Sequence, residues 1–185
     1  MGKKGVVLTI GVFDGFHRGH QALVRKTMEW ARRLKAVPSA LTFRNHPLHV
    51  LRHPGKVSFL YPREETARCL KEAGLKNVAV VSFTLRFAHL TPEEFVQWLL
   101  KRYELKAVVV GANFRFGTGN LGNVKTLKRL GRRYGFKVMA VSLRGGDRNA
   151  VSSTRIRQAL QAGRMKVANR MLGRPFHISG RVAPG

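Results

Sequence analysis

The sequence predicts an α/β fold in which a doubly wound parallel sheet of five strands is covered by helices on both faces. Two observations lead to this prediction. Short apolar runs rich in β-branched residues alternate along the chain with longer segments of helical periodicity. The apolar runs contain few polar residues, which is typical of strands buried on both faces of a parallel sheet. Because ligands of such sheets bind beyond the carboxyl ends of the strands, we expect the functional residues in the loops that follow the strands.

The first predicted strand, residues 6–10, leads into a loop with glycine and histidine and then into an amphipathic helix at 21–35. This order directs backbone N–H groups and a helix N-terminus at an anion. His17 and His20 are three residues apart, so both imidazoles can face one side and donate hydrogen bonds to phosphate oxygens. Gly19, between them, lets a phosphate approach the main chain. We interpret this loop as a phosphate site rather than as an ordinary buried turn.

The remaining elements follow from breaks in the apolar pattern. Pro38 is expected to interrupt the pattern before the second strand, and Pro47 and Pro54 are expected to exclude a regular element from 44–54. The run Thr91-Pro92-Glu93-Glu94 has the sequence of a helix start with a capping box. Further strands are predicted at 39–43, 77–83, 107–110 and 136–142, and further helices at 63–73, 91–103, 124–134, 151–163 and 166–172.

The charge of the chain is strongly positive. It carries 35 Lys and Arg residues against nine Asp and Glu residues, a formal net charge of +26. Such a field attracts polyanions, so non-specific binding to nucleic acid is predicted. Charge alone does not distinguish a nucleic-acid-binding protein from an enzyme that acts on nucleotides. No apolar run approaches the length of a membrane span, so no membrane partner is expected, and the sequence does not predict the oligomeric state.

Cysteine and histidine usage bears on metal binding and on the compartment. The single cysteine, Cys69, excludes an internal disulfide and offers no cysteine cluster for zinc, so a reducing, cytoplasmic setting is expected. His46, His49 and His53 lie in one loop, but their spacing is loose and the loop contains two prolines. No dedicated metal site is therefore predicted.

Two motifs resemble signatures of the nucleotidyltransferase superfamily. Residues 11–20, Gly-Val-Phe-Asp-Gly-Phe-His-Arg-Gly-His, resemble the first signature, and residues 151–157, Val-Ser-Ser-Thr-Arg-Ile-Arg, resemble the second. The stretches 109–117 and 172–182 are similar to the bacterial FAD synthetase family, the bifunctional riboflavin kinases/FMN adenylyltransferases. The resemblance implies a Rossmann-like sheet of the HxGH nucleotidyltransferase type and an FMN adenylyltransferase activity, which transfers AMP from ATP to FMN.

The resemblance also implies how the reaction proceeds. The FMN phosphate would attack the α-phosphorus of ATP in the presence of Mg²⁺, and pyrophosphate would leave. His17 and His20 would donate hydrogen bonds to the triphosphate, and Arg157 would present its guanidinium to the leaving pyrophosphate. Mg²⁺ would be held mainly by substrate phosphates and water, without a metal site of protein ligands.

The implied site residues fall into three groups, of which the catalytic candidates are His17, His20 and Arg157. The hydroxyls and N-terminal amides of the helix at 151–163 would bind the β- and γ-phosphates, although an ordinary N-cap cluster has the same sequence. The candidates for binding ATP and its phosphates lie in the two superfamily motifs: Gly11, Phe13, Asp14, Gly19, Ser152, Ser153, Thr154 and Arg157. The candidates for a flavin and nucleotide crevice follow the second and fourth strands: Phe43, His46, Pro47, Gly111, Asn113 and Arg115.

Five of these motif residues have more than one role open to them. Asp14 either orients its loop, approaches the metal or forms a turn. Phe114 and Phe116 either stack on a ligand or fill the core, and the core is expected for at least one of them. Arg115 and Arg155 either contribute to the electrostatic field of the site or are solvated.

The chain departs from the family in one motif and in length. The family usually reads Thr-Phe-Asp-Pro-His-Pro where residues 42–47 read Thr-Phe-Arg-Asn-His-Pro, so Arg44 places a cation where an acid is usual. Residues 1–173 are expected to form the adenylyltransferase domain, and 174–185 the linker and start of an absent riboflavin kinase domain, so kinase activity is expected to be absent. The alternatives are a nucleotidyltransferase for another phosphorylated acceptor and a basic nucleic-acid-binding protein on a degenerate nucleotidyltransferase fold.

Overall fold

The computed structural model describes residues 4–51, 58–142 and 151–178. All strand pairings within one sheet are parallel, which confirms the predicted fold class. The five strands are β1 (Val6–Ile10), β2 (Val37–Phe43), β3 (Asn77–Val81), β4 (Leu105–Gly111) and β5 (Lys137–Val141).

Helices connect the strands and cover both faces of the sheet. The predicted capping box is confirmed at Thr91, whose side chain accepts from the Glu94 amide while the Glu94 carboxylate accepts from the Thr91 amide. The helices are α1 (Arg18–Arg33), α2 (Pro47–Leu51), α3 (Arg63–Glu72), α4 (Leu85–Ala88), α5 (Pro92–Leu100), α6 (Val124–Tyr134), α7 (Ser153–Gln161) and α8 (Met165–Leu172).

The strands are ordered β3-β2-β1-β4-β5 across the sheet, so the order reverses between β1 and β4. Every residue of β1 is buried, whereas the edge strands β3 and β5 are mostly half-exposed. The central strands therefore form the floor of the crevice that opens at the reversal, where a ligand is expected in this class of sheet.

Separate hydrophobic clusters lie on the two faces of the sheet. One face is covered by α5 and α6, and the other by α1 and α3. A third cluster holds α7 and α8 together beside the carboxyl end of the sheet, around Ile156, Leu172 and the ring of Tyr61. This third cluster fixes the start of α7, which carries the second motif, near the loop after β1.

Three local predictions were wrong. Pro38 lies inside β2, because pairing with β3 begins only at Ser39 and no ladder partner needs the missing Pro38 N–H. Pro47 begins the short helix α2, since the first turn of a helix tolerates proline. Helix α1 starts at Arg18 rather than at residue 21, and the four-residue helix α4 was not predicted. His53 and Pro54 lie outside the described residues.

The described residues after α8 pack onto the third hydrophobic cluster, which Phe176 contacts. Gly173 ends the helix in the left-handed conformation, and the Arg174 guanidinium donates to the carbonyls of Gly15 and Phe16. The expectation that a linker to a second domain begins at residue 174 stays a prediction. Among the described residues, no helix combines the length and apolarity needed to cross a membrane.

Candidate functional site

The crevice at the carboxyl end of the sheet consists of two adjoining cavities. The first, here called the polar cavity, has a volume of about 370 Å³ and lies between the loop after β1 and the start of α7. The second, the aromatic cavity, has about 400 Å³ and lies between the loops after β2 and β4. The two cavities share a wall formed by Ile10, Gly11, Val12, Asn113 and Phe114.

Most of the predicted site residues line these cavities. The loops after β1, β2 and β4 and the start of α7 therefore converge as the parallel sheet requires. Predicted residues on the polar cavity are Gly11, Asp14, His17, His20, His46, Gly111, Asn113, Ser152, Ser153, Thr154 and Arg157. Predicted residues on the aromatic cavity are Gly11, Phe43, Pro47, Asn113 and Arg115.

The two histidines form a stacked pair at the start of α1. Their ring centroids are 3.7 Å apart, with an angle of 18° between the ring planes. The Nδ1 atoms of His17 and His20 are buried and have no hydrogen-bond partner among the described residues. His17 occupies the N-cap position but makes no side-chain cap, so the first amides of α1 stay available to an anion.

Both imidazoles are neutral in the ligand-free protein. Burial lowers the pKa of His17 to about 4, and burial, together with repulsion from His17 if both were protonated, holds the pKa of His20 well below its ordinary value. A neutral imidazole retains one N–H donor, which suits a phosphate oxygen. An anion beside the pair would favour the protonated form and add a charge-assisted hydrogen bond.

Two of the predicted phosphate residues do not line either cavity. The ring of Phe13 is fully buried and meets the ring of His20 edge-on at 5.2 Å. Its backbone has a φ of 53°, in the left-handed region, so the loop turns the ring inward beneath the histidine. Gly19 is buried in the first turn of α1. Phe13 therefore positions His20 rather than contacting a ligand.

Asp14 is a buried carboxylate held by distant parts of the chain. Its Oδ1 accepts a 2.8 Å hydrogen bond from the Leu60 amide, and its Oδ2 forms a salt bridge with Arg157. Burial raises the pKa of this carboxyl, and the Leu60 amide with the guanidinium groups of Arg157 and Arg63 opposes that rise. Of the roles left open by the sequence, these contacts favour orientation of the loop.

The start of α7 is tied directly to the histidine loop. Ser152 caps α7 by accepting from the Arg155 amide, and the Ser153 hydroxyl donates to the Asp14 carbonyl at 2.9 Å. Thr154 is exposed on the wall of the polar cavity. Because Ser153 is already bonded within the protein, its hydroxyl joins the two motifs, while Ser152 and Thr154 retain hydroxyl donors for a ligand.

Arg63 supports the site without lining either cavity, and it was not predicted from the sequence. Its guanidinium donates to the carbonyls of Val12, at 3.1 Å, and Phe43, at 3.4 Å, and lies 3.6 Å from the centroid of the Phe59 ring. These partners are 51, 20 and 4 positions away in the chain, so no local pattern marks the residue. Arg63 binds the carboxyl ends of β1 and β2 together behind the shared wall.

The aromatic cavity is built mainly from phenylalanine rings. Phe43, Phe83 and Phe87 meet pairwise edge-on at centroid distances of 5.4 to 5.9 Å. Phe116 is buried and stacks on the half-buried Phe114 at 5.5 Å, which confirms that at least one of these two fills the core. Phe83 and Phe87 were not among the predicted site residues; Phe83 lies just before the unpredicted helix α4, and Phe87 lies within it.

The cation at position 44 stands apart from both cavities. Arg44 is exposed, and its side chain lines neither cavity. Its neighbour Asn45 instead bonds the backbone of Phe83 through both amide atoms, at 2.7 and 2.9 Å. The replacement of the usual acid therefore adds charge near the crevice without adding a contact inside it.

Known proteins resemble this chain over nearly its whole length. A family model described as FAD synthetase matches residues 1–155. The bifunctional riboflavin kinase/FMN adenylyltransferase of Escherichia coli K12 is 39% identical over 186 aligned residues, which cover 99% of this chain and 59% of that protein. A protein named FAD synthetase from Listeria monocytogenes is 35% identical over 183 residues, covering 98% of this chain and 74% of its own length. This chain thus spans about three fifths of the length of the bifunctional relative.

A solved structure supports the same fold. A crystal structure described as that of a macrolide-efflux protein from Streptococcus pneumoniae is similar with a TM-score of 0.84 and 30% sequence identity. The similarity covers 95% of this chain and 58% of the other chain. The matched region therefore contains nearly all of the sheet and helices described above.

Proposed function

The chain belongs to the FAD synthetase family, and we propose that it is an FMN adenylyltransferase that transfers AMP from ATP to FMN and releases pyrophosphate. One observation carries the proposal. A cavity lined by histidines and hydroxyls shares a wall with a cavity lined by aromatic rings. Such a pair suits two substrates, one rich in phosphate and one with a flat aromatic ring system, whose reacting ends meet at the shared wall.

The polar cavity suits the triphosphate of ATP. The uncapped first amides of α1 and the imidazoles of His17 and His20 lie at one side of the polar cavity, and the start of α7 supplies a second set of donors. Arg157, on the same wall, offers a planar guanidinium to a phosphate. We assign the α-phosphate to the histidines and the leaving pyrophosphate to α7 and Arg157.

The aromatic cavity suits the isoalloxazine ring of FMN. Its phenylalanine rings offer faces and edges for stacking, and Arg115 and Asn113 stand at its rim and wall. With the ring in this cavity, the ribityl phosphate extends toward the wall shared with the polar cavity. There an oxygen of the FMN phosphate attacks the α-phosphorus of ATP in line with the bond to the β-phosphate.

The reaction needs positioning and charge neutralisation rather than a covalent nucleophile. The new bond joins the FMN phosphate oxygen to the α-phosphorus, and the bond from that phosphorus to the bridging oxygen breaks, so that pyrophosphate carries away the electron pair. His17 and His20 donate to the oxygens on which charge accumulates. The stacking of His17 on His20 and the contact of His20 with the Phe13 ring hold the pair in place.

Mg²⁺ would enter this site bound to the phosphates of the substrate. Within the described residues there is no cluster of three His, Cys, Asp or Glu side chains that could hold a metal ion. Both oxygens of Asp14 already have partners. When bound, Mg²⁺ would neutralise phosphate charge. On the cavity wall, the Thr154 hydroxyl and the Asn113 side-chain carbonyl are oxygen ligands of the kind that Mg²⁺ prefers.

A direct assay tests the proposal. Radiolabelled ATP, FMN and Mg²⁺ are expected to yield FAD and pyrophosphate, and the double variant His17→Ala/His20→Ala is expected to abolish the product. The melting temperature should rise with FMN and stay constant with nicotinamide mononucleotide or phosphopantetheine. Absence of FAD formation by the parent protein would contradict the proposal, and a shift with another acceptor would assign the site to a different phosphorylated substrate.

Weak, non-specific binding of nucleic acid is a further proposal about partners. The outward face of α6 carries five exposed cations and no acid: Lys125, Lys128, Arg129, Arg132 and Arg133. A row of cations on one helix face suits the regular charges of a phosphate backbone. A cytoplasmic location stays a prediction.

A further inference from the structure

Two arginines face one buried carboxylate beside the polar cavity. Asp14 is 1% exposed, and its Oδ2 is paired with the Nη2 of Arg157. The Nη2 of Arg63 lies 3.6 Å from the other oxygen, Oδ1, beyond the range of a good hydrogen bond. Asp14 therefore forms an ion pair with Arg157 and has a second arginine, Arg63, within 4 Å.

The guanidinium of Arg157 is bonded within the protein and also lines the polar cavity. In the ligand-free protein its Nε donates to the Ser58 carbonyl at 2.7 Å while its Nη2 pairs with Asp14. The same side chain lines the polar cavity, where the proposed function gives it the leaving pyrophosphate. A guanidinium that turns toward phosphate gives up its pairing with Asp14. A carboxylate left unpaired at that degree of burial is strongly unfavourable.

The guanidinium of Arg63 is positioned to pair with the Asp14 carboxylate. Its Nε and Nη2 are buried and have no hydrogen-bond partner among the described residues, whereas its Nη1 is held by the Val12 carbonyl. The Phe59 ring supports the guanidinium plane from one side. Unpaired guanidinium N–H groups are costly when buried, and the Nη2 of Arg63 is 3.6 Å from the Oδ1 of Asp14, so a shift of under 1 Å would bring this N–H within hydrogen-bond distance of the carboxylate.

We propose that Arg63 is a positioning residue that takes over the charge of Asp14 when Arg157 leaves it for the phosphates of the nucleotide. This inference rests on the proposed function. The exchange keeps Asp14 paired in both states, so the histidine loop, whose backbone carbonyl at Asp14 also holds Ser153, keeps its shape while Arg157 is free to move.

Substitution of Arg63 tests the exchange through binding of ATP, without any need for catalysis. The variant Arg63→Met is expected to weaken binding of Mg²⁺–ATP at least tenfold in titration calorimetry, because Arg157 would then leave Asp14 without a cation. In the Asp14→Asn background the same substitution is expected to change the affinity less than threefold, since the neutral amide needs no countercharge. A merely structural role for Arg63 would not be rescued by Asp14→Asn.

Arg68→Met is the matched control, because Arg68 is an exposed arginine on the same helix and lines neither cavity. It removes the same charge and is expected to leave the affinity for ATP unchanged. If Arg63→Met does not fold, the cycle is repeated with Arg63→Lys, which keeps the charge but not the planar fork and should weaken binding less.

The outcomes separate the two proposals. Unchanged affinity in the folded Arg63 variant, or an equal loss in the Asp14→Asn background, would overturn the exchange and leave the proposed function standing. Failure of the parent protein to bind Mg²⁺–ATP would overturn the proposed function, and the exchange with it.

Discussion

The hydroxyl of Ser153 donates a 2.9 Å hydrogen bond to the main-chain carbonyl of Asp14, which joins two residues 139 positions apart in the chain. The bond fixes the start of α7 against the histidine loop. As a result, the hydroxyl motif near the C-terminal end and the histidine motif near the N-terminus line the same cavity. A triphosphate held by both motifs would span two elements whose separation this bond sets.

The variant Ser153→Ala tests this bond. Loss of one partly buried hydrogen bond is expected to lower the free energy of unfolding by about 1 kcal/mol. FAD formation should fall at least tenfold, because a small displacement of α7 separates the two sets of phosphate donors. Urea denaturation measures the stability, and the FAD assay at saturating ATP and FMN measures the rate.

Thr84→Ala is the matched control for stability. Thr84 caps α4 by accepting from the Phe87 amide at 3.1 Å, and it lines neither cavity. Its loss should cost about 1 kcal/mol of stability as well. An equal fall in FAD formation in both variants would mean that Ser153 acts through stability alone.

The rings of the aromatic cavity are expected to set the affinity for FMN. Phe83→Leu should weaken FMN binding about fivefold to tenfold, since one aromatic contact contributes about 1 kcal/mol beyond area burial. Phe83 lines the aromatic cavity and not the polar cavity, so the KM for ATP should stay the same. Quenching of FMN fluorescence measures the affinity directly.

Phe136→Leu provides the comparison, because Phe136 is buried in the same hydrophobic cluster but lines neither cavity. It should lower stability and leave the FMN affinity intact. Equal changes in FMN and ATP affinity for Phe83→Leu would contradict the assignment of the flavin ring to this cavity.

The architecture was predictable because buried parallel strands leave a local signature. Each of the five strands is a short, largely apolar run, and the helices between them require parallel pairing. The order of the strands in the sheet was not predicted, because the contact between β1 and β4 joins strands far apart in the chain. The short helices α2 and α4 were missed because five and four residues hold little periodicity. The role of Pro38 was predicted wrongly because the sequence does not show where along β2 the pairing with each neighbouring strand begins.

The candidate site was predictable where its residues lie in short motifs and not where distant residues meet. The histidine and hydroxyl residues were found because each set sits directly after a strand or at a helix start. Arg63 was missed since its partners lie far away in the chain, Val12 in the loop after β1 and Phe43 at the end of β2. Phe13 was assigned to the ligand because nothing in the sequence shows that a left-handed φ turns its ring into the core.

The face of α6 is the expected contact for nucleic acid. The variant Lys128→Glu/Arg132→Glu should reduce the slope of log K against log salt by about 2 for a labelled 20-base-pair duplex, as two phosphate contacts are lost. Fluorescence anisotropy at several salt concentrations measures the slope.

Lys166→Glu/Arg170→Glu on α8 makes the same change in net charge, at the same spacing, on another exposed helix face. It should change the slope little. Equal effects of the two double variants would assign the binding to the overall field of the protein rather than to α6.

The neutral state of His17 makes stability depend on pH. Its pKa is lowered by burial to about 4 in the folded protein, against an ordinary 6.5 in the unfolded chain. Below pH 6.5 the unfolded chain therefore binds a proton that the folded protein does not, so the free energy of unfolding decreases as the pH falls toward 4. The loss reaches about 3 kcal/mol for this one group. His17→Gln should lack this part of the decrease in urea denaturation between pH 7 and pH 4.

His17→Asn is the control that separates titration from packing. Asn and Gln fill the space of the imidazole differently, so the two variants should differ from the parent by unequal amounts at pH 7. Neither side chain titrates, so both should gain stability relative to the parent by the same amount as the pH falls. A difference between parent and His17→Gln that stays constant from pH 7 to pH 4 would mean that the folded protein takes up the proton as readily as the unfolded chain. The imidazole would then be positively charged near pH 6, and its contribution at the polar cavity would be that of a cation rather than a neutral donor.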